Sequence, residues 1–194
     1  LTTKLWNDDQ RSGKVEEAIE ASLKRLGMDY VNLYLVHWPV KETYVSVWKK
    51  MEAVYKSGKA KAIGVSNYQT HHLADLLEEA EIIPAVNQIE CYPYLSQAAT
   101  IQYCLERNIR PEAWGPLGAG KSDILTNPVI TEIAKKRGLT PAQVVLGWNL
   151  ERGVIVIPKS IHKERLTENL KCTDFELTDE DMTRISALNK NLRL

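Results

Sequence analysis

The chain has 194 residues, with 25 lysines and arginines against 25 aspartates and glutamates and a sequence pI of about 7.1. That length holds one domain with a substantial core, or a large part of a bigger one, and the balanced charge gives no pull toward nucleic acid or an anionic membrane surface. No apolar run approaches the roughly 20 residues of a membrane-spanning helix, and Cys91, Cys104 and Cys172 lack metal-ligand spacing, which suits free thiols in a reducing, cytoplasmic setting.

Leu1 to Trp6 is a short β-prone run, and Asn7-Asp8-Asp9-Gln10 reads as a turn or loop. Lys14 to Leu26 is an amphipathic helix with Val15, Ala18, Ile19, Ser22, Leu23 and Leu26 on one face, stopped by Gly27. Tyr30 to Trp38 is rich in β-branched and aromatic residues and reads as a strand buried on both faces. Pro39 closes it, because proline cannot donate to a ladder and holds the preceding residue extended. Tyr44 to Tyr55 is a second helix burying Val47, Trp48, Met51 and Val54. Ala60 to Ser66 is the next strand, with Asn67 just past its end, and Thr70 is expected to cap a helix that buries Leu73, Leu76 and Leu77. Pro84 to Ile89 is a strand carrying Asn87 and Gln88. Gln97 to Arg107 is a helix with Ile101, Cys104 and Leu105 inward, ended by a left-handed Asn108. Arg110 to Trp114 is a strand, followed by a loop with Gly115, Pro116, Gly118 and Gly120. Two helices come next. The second opens with Thr140-Pro141-Ala142-Gln143, a capping threonine with proline at the first helical position and a reciprocal glutamine. Val154 to Ile157 is the last strand, closed by Pro158. His162 to Leu170 is a short helix, and Thr178 caps a final one through about Leu188.

Strand and helix alternate about six times with no linker, so the fold class is α/β and built from βα units. An open doubly wound sheet would place a glycine-rich phosphate loop directly after the first strand. None follows Leu1 to Lys4, so a closed barrel is favoured, with residues 1–194 forming one partial (β/α)8 TIM-barrel domain. In such a barrel the carboxyl ends of the strands share one face. That face would gather Lys4, His37, Trp38, Ser66, Asn67, Gln88, Glu90, Trp114, Lys159 and Ser160. Taken singly, each has a plain structural reading. His37 could be a satisfied strand-end histidine, Trp114 a core ring, Asn67 and Gln88 strand-end caps, and Lys159 to Asn169 a solvated connection.

Taken together, the motifs resemble the aldo-keto reductases, in particular their small microbial and protozoan members. The likeness rests on Thr2-Thr3-Lys4-Leu5-Trp6, Leu33-Tyr34-Leu35-Val36-His37-Trp38-Pro39 and Gly64-Val65-Ser66-Asn67. It continues through Val86-Asn87-Gln88-Ile89-Glu90, Glu112-Ala113-Trp114-Gly115-Pro116-Leu117-Gly118, and Ile157-Pro158-Lys159-Ser160 with Arg165, Glu168 and Asn169. The resemblance implies a (β/α)8 barrel that binds NADPH and reduces aldehydes and ketones to alcohols. Lys4 and His37 would then be two members of the catalytic tetrad. Ser66, Asn67 and Gln88 would hold the nicotinamide carboxamide, Trp114 would stack on the ring, and Leu117 would border the cofactor. Lys159, Ser160 and Arg165 would hold the 2′-phosphate, Glu168 and Asn169 would read the adenine, and Trp6 and Trp38 would line the substrate pocket. No metal is implied.

These residue types suit that chemistry on their own account. An amide, a hydroxyl and an aromatic face can fix a flat ring near a carbonyl carbon. A lysine lowers the pKa of a neighbouring proton donor, and a neutral histidine can orient the carbonyl. Arginine and lysine near a short helix suit a phosphate.

Departures from the family pattern are specific. The resemblance places an aspartate and the proton-donating tyrosine of the tetrad on two strands ahead of Lys4, and Leu1 opens the sequence. The chain is therefore expected to be the carboxyl-terminal three quarters of such a barrel, with about six of eight units, weak or no activity alone, and a tendency to associate through its open sheet edges. The complete protein is expected to be monomeric and its partner a small carbonyl substrate. Tyr30, Tyr34, Tyr68 and Tyr92 do not stand at the donor position. The sequence ends at Leu194 where the family continues into a substrate-covering loop, the connection after Pro39 is short, Gly115 stands where serine is common, and His162 where some members have threonine. The competing reading is a non-catalytic NADP(H)-binding barrel with a sensing or scaffolding role.

Overall fold

Alternating apolar strands and amphipathic helices fold as their patterns dictate. The computed structural model describes all residues 1–194. In chain order the elements are β1 (Thr2–Leu5), α1 (Asn7–Arg11), α2 (Val15–Leu26), β2 (Leu33–Val36), α3 (Tyr44–Lys56), β3 (Ile63–Ser66), α4 (Thr70–Glu79) and β4 (Val86–Glu90). They continue with α5 (Ala98–Leu105), β5 (Arg110–Trp114), α6 (Pro128–Arg137), α7 (Pro141–Glu151), β6 (Ile155–Val156), α8 (Lys163–Leu170) and α9 (Asp179–Ser186). The strand order is the chain order, β1 to β6. Two compact units result, Leu1–Gln88 with Gln102–Arg110, and Ile89–Ile101 with Pro111–Leu194.

In the first unit β1 pairs parallel with β2 from Thr2↔Leu33 to Leu5↔Val36, β2 pairs with β3, and β3 reaches β4 at Val65↔Asn87 and Ser66↔Gln88. The Arg110 N–H donates to the Ala85 carbonyl at 2.9 Å, which starts β5 beside β4. Tyr34, Leu35 and Val36 are fully buried, as a strand covered on both faces requires. Ile19, Leu23, Val47, Trp48, Met51 and Leu73 pack into the same core. The indole N–H of Trp48 donates to the Ile82 carbonyl at 2.9 Å, so this large ring is buried without stranding its polar atom. Gly27 ends α2 in the left-handed conformation, φ 63°, as its lack of a Cβ allows.

In the second unit β5 pairs parallel with β6 at Glu112↔Ile155 and Ala113↔Val156, and the Cys91 N–H donates to the Trp114 carbonyl at 3.3 Å. Its core gathers Ile130, Ile133, Val144, Val145, Trp148 and Ile185. The predicted cap of α7 forms reciprocally. Thr140 Oγ1 accepts the Gln143 N–H at 3.3 Å, and Gln143 Oε1 accepts the Thr140 N–H at 3.0 Å. Thr178 caps α9 by accepting the Asp181 N–H at 3.3 Å.

Some local expectations change. Asn7 to Arg11 is a short helix rather than a turn. Asp8 and Asp9 in its first turn suit the positive end of the helix, and burial of Gln10 holds it down. Gln69, not Thr70, precedes the first turn of α4, and its N–H donates to Nδ1 of His72 at 3.2 Å. Leu105 turns outward and Leu77 is only half-buried. β6 spans two residues, and Ile155 and Ile157 on and after it are exposed. No helix is long and apolar enough to cross a membrane.

Gly64 sits where β3 runs closest to its neighbours. A Cβ there would lie 2.5 Å from the Val86 carbonyl oxygen and 2.8 Å from Leu35 Cδ2. Gly64→Ala is expected to destabilise by about 1–3 kcal/mol, the usual cost of overpacking. Urea unfolding should show a lower midpoint at unchanged slope. An unchanged midpoint would mean that β3 and β4 separate at no cost.

Candidate functional site

The parallel register of the first unit brings the ends of β1 to β4 to one side. Lys4 lies on β1 opposite Leu35, and His37 directly follows β2, its N–H donating to the Leu5 carbonyl at 3.2 Å. The indole of Trp6 stacks on the His37 ring with centroids 4.6 Å apart and planes at 28°. Trp38 meets that ring edge-on at 6.4 Å. Nδ1 of His37 is buried with no hydrogen-bond partner. Burial, and then the positive charge of Lys4, hold the imidazole pKa below its ordinary value, so the ring is neutral at neutral pH.

Beyond β3 the chain turns through Asn67 in the left-handed region, φ 65°, a conformation asparagine tolerates better than most residues. Asn67 Nδ2 donates to the His37 carbonyl and to Ser66 Oγ, each at 3.1 Å, and its N–H donates to the Gln88 carbonyl at 2.8 Å. Ser66 Oγ donates to that carbonyl too, at 2.8 Å. Ser66, Asn67 and Gln88 are all buried. Beside Trp38 and Pro39 an open recess of about 570 Å3 is lined also by Asn7, Arg11 and Lys41.

In the second unit Trp114 ends β5 and is half-buried. Leu117, Lys159, Ser160, Arg165, Glu168 and Asn169 line one cleft of about 340 Å3. Lys159 and Arg165 are exposed, so neither cation is consumed by a buried pair. Ser160 Oγ accepts the His162 N–H at 3.1 Å and holds the turn into α8. Glu168 already has an internal task. Its Oε1 accepts the hydroxyl of Thr140 at 2.7 Å, and its carbonyl accepts Gln143 Nε2 at 3.1 Å, so it clamps the start of α7 against α8. Two exposed cations, a hydroxyl and an apolar wall of Leu117, Pro141 and Ala142 suit a phosphorylated, flat organic group. Sequence reasoning saw Thr140 only as a helix cap and did not see Leu125 or Ala142 as lining residues. Nor did it see Asn7 and Arg11 beside Trp38, because the segment was read as a turn.

A family model described as "Aldo/keto reductase family" matches residues 1–190. The glyoxal reductase of Bacillus subtilis (strain 168) is 50% identical over 194 residues, a match covering 100% of this chain and 70% of that protein. Among solved structures, MGS-M4, an aldo-keto reductase enzyme from a Medee basin deep-sea metagenome library, superposes with a TM-score of 0.95 at 44% identity, covering 100% of this chain and 72% of that one. A silkworm (Bombyx mori) aldo-keto reductase crystallised with NADPH superposes with a TM-score of 0.94 at 38% identity, covering 99% of this chain and 64% of that one. The fold is that of the (β/α)8 barrel, of which this chain contributes six strands.

The His37 environment has a direct test. A folded-state pKa below the ordinary histidine value means that the neutral ring's contribution to stability is complete above that value and is lost as pH falls through the lowered one. NMR titration should place the His37 midpoint below that of an unfolded peptide. Lys4→Met should raise it, but only partway, since burial is the larger cause. A midpoint at the peptide value would show that His37 is solvated.

Proposed function

Because the chain belongs to the aldo/keto reductase family, we propose that it binds NADPH and takes part in reducing small aldehydes and ketones, glyoxal among them, to alcohols. The observation that carries this reading is the meeting of Leu117, Lys159, Ser160, Arg165, Glu168 and Asn169 on one cleft of the second unit. Its charges and walls fit an adenosine 2′-phosphate, and NADPH when bound supplies the hydride. Arg165 and Lys159 would hold the phosphate by charge-assisted contacts, joined by the Ser160 hydroxyl, and Glu168 and Asn169 would read the base. By the family pattern, Ser66, Asn67 and Gln88, already fixed in place, would partner the carboxamide, and Trp114 would offer a face to the ring. His37, neutral, donates an N–H to the carbonyl oxygen and orients it, while Trp6 and Trp38 wall the substrate. Reduction at the carbonyl carbon would leave the oxygen in need of a proton. Lys4 lowers the pKa of the group that gives it.

That donor is not Tyr34 or Tyr68. Both hydroxyls are buried without a hydrogen-bond partner, and burial pushes their pKa far above the ordinary range, which disfavours giving up a proton. By the family pattern the donor tyrosine and its aspartate partner belong to strands ahead of β1. We infer that residues 1–194 alone reduce carbonyls weakly.

Two measurements test the reading. Titration of NADPH and NADH by tryptophan fluorescence should show preference for NADPH. Arg165→Ala should weaken NADPH by about 1.5–3 kcal/mol, roughly 10- to 150-fold in Kd, and leave NADH nearly unchanged. Equal NADPH affinity in the two proteins would remove Arg165 from the site. For the donor, glyoxal-dependent NADPH oxidation by residues 1–194 should be about 10²–10⁴-fold slower than by a chimera extended at Leu1 with the leading strands of the Bacillus subtilis relative. Matching rates would place the donor within residues 1–194.

A further inference from the structure

The turn that carries Ser66 and Asn67 is fastened at Asn67 and at each of the two residues after it. The Asn67 N–H donates to the Gln88 carbonyl at 2.8 Å, the Tyr68 carbonyl accepts Asn87 Nδ2 at 2.9 Å, and the Gln69 N–H donates to His72 Nδ1 at 3.2 Å. The first two fasteners are amide groups that do not titrate. The third ends on an imidazole nitrogen that can accept only while it carries no proton.

We propose that His72 is a positioning residue for the cofactor-holding turn: its neutral imidazole fastens Gln69 at the entry to α4, and protonation releases that fastener and loosens the Ser66–Asn67 turn. The proposal rests on the reading above that this turn holds the carboxamide.

The ring is held for this task by its neighbours. Tyr44 of α3 meets it edge-on at 5.3 Å and Tyr68 at 5.8 Å, while Tyr44 and Tyr68 meet each other at 6.0 Å. The Tyr44 hydroxyl is bonded to Asp75 on α4, which fixes the outer ring of the group. Tyr68 is fully buried, so the base of the cluster does not move without opening the core. The titratable groups facing His72 are therefore Tyr44 from α3, Tyr68 from the turn, and His71 and Asp75 from its own helix. The His71 ring lies 3.9 Å away between centroids. Burial and His71 disfavour a charge on His72 and Asp75 favours one, with burial the largest. The sign follows: the fastener is complete above the ordinary histidine value and is lost as the pH falls through the lowered folded-state one. At this position, three residues into a helix, glutamine is the usual acceptor for the cap N–H. His72→Gln therefore keeps the fastener and removes the titration. His72→Leu keeps apolar packing and removes the acceptor.

NADPH dissociation constants of the full chain and both variants at pH 8 and pH 5.5 test the proposal. At pH 8 His72→Gln should match wild type and His72→Leu should bind about five- to tenfold more weakly, the effect of a lost helix cap. At pH 5.5 wild type should fall toward His72→Leu while His72→Gln holds its advantage. Reading the ratio to His72→Gln cancels titration of the phosphate and of other groups. A wild-type to His72→Gln ratio that does not change with pH, or a His72→Leu variant as tight as wild type at pH 8, would overturn the proposal. If no variant binds NADPH at pH 8, the cofactor reading fails, and hydrogen exchange at the Gln69 amide then decides the His72 question. Protection that wild type loses on acidification and His72→Gln keeps supports the fastener. Equal protection in all three proteins at both pH values rejects it.

Discussion

A single left-handed asparagine ties the strand ends together. Asn67 spends its side-chain amide on the His37 carbonyl and the Ser66 hydroxyl, and its backbone N–H on the Gln88 carbonyl. One residue thus fixes the distances between the ends of β2, β3 and β4. The arrangement needs a side chain that donates two hydrogen bonds and a backbone that accepts positive φ, and few residues other than asparagine offer both. That same amide holds the His37 backbone, and Trp6 stacks on its ring. A site assembled this way costs little to keep ordered, because the groups that would touch a ligand also hold one another.

The second unit solves a different problem. Its charged groups, Lys159 and Arg165, stand in solvent, where a cation costs little. The Thr140 hydroxyl bonded to Glu168, both lining the cleft, joins the start of α7 to α8. Glu168 therefore cannot be judged as a ligand-reading residue alone, because removing it would also free the start of α7.

Much of this was legible in the residues. Arg110–Trp114 was found at its observed bounds, and Gly27, Asn108 and the Thr140–Gln143 pair ended or began elements as their chemistry demands. Strand-end polar residues were legible as a set because a parallel barrel gives every strand end the same direction. What escaped was decided by contacts distant in sequence or by competition between near-equal local choices. Asn7–Arg11 is too short for periodicity to reveal. Thr70 is the residue that cap preference selects, but the chain enters α4 one residue earlier, where the imidazole of His72 takes the N–H of Gln69. Leu105 looked inward on a helical wheel, but the helix ends there, and a last turn need not keep its face buried. The recess beside Trp38 and the lining role of Thr140 depend on how loops fold back, for which the sequence carries no period.

The pairing of neighbours in chain order also bears on how fast the molecule can be made. Asn67 and His37 are 30 residues apart and Ser66 and Gln88 are 22 apart, and in each case the intervening segment contains a helix with its own local hydrogen bonds. Each new strand of the first unit therefore has to close only one short excursion to find its partner, and the entropy of that closure grows slowly with length. Assembly can advance along the polypeptide as it leaves the ribosome, with each βα step templated by the strand already laid down.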